Sequence, residues 1–141
     1  MWSGIVIIMK AQVAFEYIVV VTAVLIFIIP IWAYMATVSQ QATQALSISQ
    51  AQTAANRLVG AADLVHTQGY PAQLTIDVYI PSGVQAAELI NTTIKFTVSG
   101  QGGASDVASV ALGPLSGSLP TREGLYKFSV KSMNTYVNIS Y

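Results

Sequence analysis

The first third of the chain is almost unbroken apolar sequence. From Val13 to Ala36 it reads VAFEYIVVVTAVLIFIIPIWAYMA, with Glu16 its one charged residue. About 20 consecutive apolar residues cross a bilayer core of roughly 30 Å as a helix, so residues 12–36 predict a hydrophobic helix of membrane length. Beyond it the pattern turns amphipathic. In the stretch TVSQQATQALSISQAQTAANRLVGAADLVHTQGYP, Val38, Ala42, Ala45, Leu46, Ala55, Leu58, Val59, Ala62 and Val65 recur at spacings near three and four, the period of one helical face. Ala and Gln favour helix. Gly60 is the one interior glycine, and Gly69 with Pro71 marks a stop. Residues 37–68 therefore read as an amphipathic continuation of the first helix. From Gln12 to about His66 such a helix is roughly 80 Å long at 1.5 Å per residue, longer than any bilayer is thick.

From Gln73 the period drops to two. Leu74, Ile76, Val78 and Ile80 alternate with other residues up to the turn Pro81-Ser82-Gly83. Residues 88–98 predict one or two strands, around Asn91-Thr92-Thr93 and Ile94 to Val98. Residues 99–105 read as a glycine-rich loop, 107–112 as a short strand and 114–124 as turns. Residues 125–131 and 135–141 predict a hairpin joined near Met133-Asn134. Tyr126, Phe128 and Val130 share one face of it, as do Val137, Ile139 and Tyr141. The expected fold class is α+β: a long N-terminal helix followed by a small antiparallel β-sheet or β-sandwich domain over residues 72–141, packed on the upper part of the helix.

Composition sharpens this. Apolar residues make up 53% of the chain and charged residues 9%, against a usual quarter charged; the N-terminal third accounts for the excess. The formal net charge is zero and no Lys/Arg cluster exists, which argues against capture of nucleic acid. Without cysteine there are neither disulfides nor thiolate metal sites. His66, the only histidine, reads as a capping or surface residue. Glu16, Asp63, Asp77, Glu88, Asp106 and Glu123 are scattered at spacings that suggest no acid/base pair. Gly100-Gln101-Gly102-Gly103 lacks the lysine and following helix of a phosphate cradle. The chain reads as non-enzymatic, with no cofactor and no metal. Asn91-Thr92-Thr93 and Asn138-Ile139-Ser140 are sequons. Both asparagines are candidate N-glycosylation acceptors, read as lying on strands.

Glu16 is the anomaly. A carboxylate at the centre of a membrane helix costs about 2.5–3.5 kcal/mol, less near its end. No Lys or Arg follows until Arg57, so a partner within the helix is ruled out and another copy of the chain is the nearest source. The same uncharged stretch lets like helices approach without repulsion or ion desolvation. An ordinary secretory signal peptide fits poorly, because its apolar region is about 7–15 residues long and ends in a small-residue cleavage site. Pro30 removes one helical donor.

Residues 10–17, KAQVAFEY, resemble the class III signal peptide of archaeal type IV pilins: a basic residue, a small one, Gln opening the mature chain and Glu four positions later, then a long apolar helix. VYIPSG and Gly117-Ser118-Leu119-Pro120-Thr121 are also similar to stretches of that family. The resemblance implies that residues 1–11 are a leader, with Lys10, Ala11 and Gln12 forming the processing site. A prepilin peptidase would cut between Ala11 and Gln12 on the cytoplasmic side. Gln12 would then supply a new amine, and Glu16 would pair with that amine on a neighbouring subunit. The implied partners are further copies of the chain in a helical homopolymer, the pilus assembly platform with its ATPase, and the cytoplasmic membrane before assembly. The implied destination is a surface filament for adhesion or cell contact, as a major, minor or archaellin-like subunit. Lys10 is the only basic residue at this end, consistent with a cytoplasmic N-terminus. MWSGIVIIMK departs from the usual Lys/Arg-rich leader, and Met9 is a second candidate start. The alternative from another class is a monomeric, single-pass membrane-anchored surface protein whose β-rich domain binds a ligand or partner.

Overall fold

In a computed structural model of the protein, the described residues are 2–100 and 102–141, with side chains described from residue 12 onward. A single helix, α1 (Trp2–Gln68), precedes seven strands: β1 (Gln73–Ile80), β2 (Val84–Ile90), β3 (Thr93–Gly100), β4 (Gly103–Val110), β5 (Leu115–Gly117), β6 (Gly124–Met133) and β7 (Tyr136–Ser140). The α+β class expected from the hydrophobic pattern is the class observed. The chain divides into two compact units, Met1–Gln40 and Gln41–Tyr141.

The first unit is wholly helical over its described residues, and α1 continues through Pro30. Proline has no N–H to give the carbonyl of Ile26. Thr37 Oγ1 donates to the carbonyl of Tyr34 at 2.7 Å, a local bond that occupies a hydroxyl just past the apolar stretch.

In the second unit α1 ends as its sequence dictates. Gly69 takes the left-handed conformation (φ 74°), and its N–H donates to the carbonyls of Val65 at 3.1 Å and His66 at 3.2 Å. Such a left-handed glycine satisfies carbonyls left over at a helix end. The buried face of this stretch carries Ser47, Ala51, Ala54, Ala55, Leu58, Val59, Ala62 and Val65. Half of these are alanines, small enough for the helix to lie against the strands while Leu58 and Val65 reach into the core.

The strands form two sheets. One has the order β1-β6-β7-β5 and the other is the meander β2-β3-β4. All pairs are antiparallel except β5–β7. Ile76 lies opposite Phe128, Val130 opposite Ile139 and Phe96 opposite Val107. These side chains bury completely or nearly so, Ile76 excepted, which is half-buried. At one side β2 runs beside β5. At the other, α1 fills the gap between the sheet edges. Its residues Arg57, Gly60, Ala61 and Leu64 face Leu74 and Ile76 of β1. On its other flank Ser109 of β4 donates to Asn56 Oδ1 at 3.0 Å, and the N–H of Leu112 donates to Asp63 Oδ1 at 2.7 Å. The helix is thus tied by hydrogen bonds to β4 and the segment after it, and leaves a groove on the β1 side.

Several local expectations are corrected. Residues 99–105 are not a loop: β3 runs to Gly100 and β4 starts at Gly103, so the glycines serve a tight hairpin. The strand expected at 107–112 is therefore longer and earlier. Residues 88–98 are two strands, and the first begins at Val84, where a bulge between Val84 and Ala86 breaks the alternation. The turn-rich 114–124 contains β5, whose partner β7 is remote in sequence. Asn91 is in a turn, not a strand. It takes φ 53°, and Asn134 takes φ 56° in the β6–β7 turn. Both hairpins use the pair Asn-Thr, because asparagine tolerates the left-handed region that two-residue turns need. Tyr141 follows Val137 and Ile139 on the inner face, its ring 6.0 Å from that of Phe128, at the open end of the sheet. It is 57% exposed and packs edge-on against Tyr126 at 5.6 Å between ring centroids.

Leu58 is 0% exposed at the centre of this closure. Leu58→Ala is expected to lower the unfolding free energy of the domain by about 2–5 kcal/mol, read by denaturant titration of the detergent-solubilised chain. A loss below about 0.5 kcal/mol, the range of surface substitutions, would contradict a structural role for the helix in the domain core.

Candidate functional site

The largest uncovered apolar surface lies on the first unit. Every described residue from Gln12 to Gln40 is exposed, including Phe15, Phe27 at 70%, Trp32 at 74% and Tyr34. Burying a large aliphatic or aromatic side chain is worth about 1.5–3 kcal/mol, so this surface demands cover. By length and composition the helix can cross a membrane. Gln12 and Glu16 stand one helical turn apart on α1, which puts them on one face. Glu16 is exposed and has no ion-pair or hydrogen-bond partner among the described residues. The side chains of Lys10 and Ala11, the rest of the expected processing site, lie outside the described residues.

The second unit presents polar surface with two local pairings. Lys95 Nζ lies 2.8 Å from Asp106 Oδ2, and Thr97 Oγ1 donates to Asp106 Oδ1 at 2.8 Å. The hydrogen bond from Lys95 holds the Asp106 carboxyl below its usual range, helped by that from Thr97. The same bond raises the Lys95 ammonium. Tyr79 donates to Glu123 Oε1 at 2.8 Å, and this bond raises its phenol. Among the described residues no three His, Asp or Glu side chains gather as a metal would require. His66 is half-buried, and its ring lies so near Gly113 that a Cβ there would approach it to 2.6 Å. The two sequon asparagines differ: Asn91 is an exposed turn residue, while Asn138 is half-buried in β7 between Lys131 of β6 and Ser116 of β5.

One feature lies outside the sites expected from sequence. Arg57, Gly60, Ala61 and Leu64 of α1 form a groove of about 420 Å³ with Leu74, Ile76 and Asp77 of β1. Arg57 also lines a smaller adjoining cleft with Thr53, Val78 and Tyr79. A Cβ added at Gly60 would meet nothing within 4 Å. Glycine in a helix interior costs about 1 kcal/mol relative to alanine, and no packing within the chain requires it here. The sequence signal was present: one interior helical glycine, three residues after the first charged group beyond Glu16.

Asp106 gives a direct check on the electrostatics of the second unit. Its folded pKa is depressed, so any stability it contributes is complete above the unfolded carboxylate value near pH 4. That contribution fades as pH falls through the folded value. Lys95→Ala is expected to raise the Asp106 midpoint toward the ordinary carboxylate range in an NMR titration; an unmoved midpoint would contradict the assigned cause.

Searches for similar proteins found no matching family model, no matching curated protein and no matching solved structure.

Proposed function

We propose that the chain is the structural subunit of an archaeal type IV pilus-like surface filament that serves adhesion or cell contact. The observation that carries this reading is the lone carboxylate of Glu16, four residues after Gln12, on an apolar helix whose described side chains are all exposed. The preceding Lys10-Ala11-Gln12 junction gives that carboxylate a source of partners. Cleavage after Ala11 by a prepilin peptidase frees an α-amine at Gln12, and in a polymer the amine of one copy reaches Glu16 of the next.

Assembly then replaces one apolar environment by another. The helix begins in the cytoplasmic membrane with its N-terminus inside. An assembly platform driven by an ATPase extracts it, and neighbouring copies take the place of lipid. Pairing of Glu16 removes the cost of carrying an unpartnered carboxylate in an apolar medium. Of the two sequons, Asn91 is the better placed for a glycan, because its turn is exposed whereas Asn138 is paired on both strand edges.

Mass spectrometry of material sheared from the cell surface is expected to find Gln12 as the mature N-terminus. Recovery of the chain beginning at Met1 or Met9 would remove the first step of the reading and favour a monomeric anchored protein. Glu16→Ala is expected to insert and be cleaved normally, yet to lower filament yield by about tenfold or more, the equivalent of about 1.4 kcal/mol per contact. Wild-type yield would remove Glu16 from assembly.

A further inference from the structure

The groove at Gly60 has walls of Ala61, Leu64, Leu74 and Ile76, and Leu64 is left 49% exposed in it. Its glycine makes the helix locally less stable and, within the chain, opens only empty space. A small residue at that position lets another backbone come close. The charges at the groove are unequal. Asp77 lies directly opposite Lys127 in the β1–β6 register, so that wall is balanced. Arg57 has no carboxylate within ion-pair distance among the described residues, which makes it the groove's surplus charge.

The complementary surface is on the same chain. Residues 12–40 are exposed, mostly apolar, and carry one charge, Glu16, also without a partner among the described residues. We propose that the groove at Gly60 is the docking site for the N-terminal apolar helix of a second copy, with Glu16 of that copy on Arg57. This inference rests on the filament reading and names a contact within it. Copies inserted from one membrane share one orientation, so docked helices run parallel. With Glu16 level with Arg57, Val19 and Val20 of the incoming helix then lie level with Gly60. The guanidinium suits the role: it stays charged in apolar surroundings and meets a carboxylate with two parallel hydrogen bonds. The carboxylate keeps acceptor capacity for an α-amine as well.

The absence of cysteine makes the test clean. Full-length chains carrying Gly60→Cys with Val19→Cys, or Gly60→Cys with Val20→Cys, are assembled on cells, sheared and oxidised with copper–phenanthroline. At least one pair is expected to give a ladder of covalent multimers on non-reducing gels, whereas each single variant stops at dimers. In parallel, Gly60→Leu and Arg57→Glu are expected to lower filament yield at least tenfold. Gly60→Ala is expected to raise the melting temperature of the detergent-solubilised chain by a few degrees, which separates assembly from folding. If wild-type filaments form while neither pair gives a ladder and both Gly60→Leu and Arg57→Glu assemble at wild-type yield, this contact is wrong and the filament reading stands. If wild-type sheared material contains no polymer of this chain, the filament reading itself falls.

Discussion

An apolar helix that its own chain leaves uncovered must be covered by something else, and this constraint organises the whole molecule. Residues 12–40 expose aromatic and aliphatic side chains on every face. Lipid can cover them, and so can other copies of the same helix. Both environments exclude charge, which is why one carboxylate in this stretch carries so much information. Glu16 is tolerable near the end of a membrane helix and useful only where a cation arrives.

The second unit meets a different demand with the same helix. Here α1 supplies a face of alanines with Leu58 and Val65, and the strands supply Phe96, Phe128, Ile94 and Ile139. The helix packs its buried face on the strands, bonded on the β4 side and open as a groove on the β1 side. Its polar contacts to β4 and the following segment run through Asn56 and Asp63. A cysteine-free domain is thereby held by packing, strand pairing and these hydrogen bonds. The flank of the helix toward β1 carries Arg57, Gly60 and Leu64 at the groove.

Long periodic patterns were readable in the sequence, and short or remote features were not. The helix, its end at Gly69, β1 and the β6–β7 hairpin follow from periods of four and two and from turn residues. The beginning of β2 was hidden because a bulge and Ala86-Ala87 break the alternation. The glycines at 100, 102 and 103 suggested a loop, although two of them end and begin paired strands. The three-residue β5 gains its identity only from parallel pairing with β7, which no local pattern encodes. Of the candidate site, Gln12 and Glu16 were visible as a spacing. The groove was not, since it needs Leu74 and Ile76 of β1 brought beside Gly60 of α1.

In the proposed filament, copies of the chain replace lipid around residues 12–40. Cryo-electron microscopy of fibres sheared from the cell surface tests it most directly. A helical polymer is expected whose core is made of these helices, packed side by side with Glu16 of each copy against a cation from another. Fibres without this chain, or a core in which the helix of each copy stands apart from the others, would contradict it.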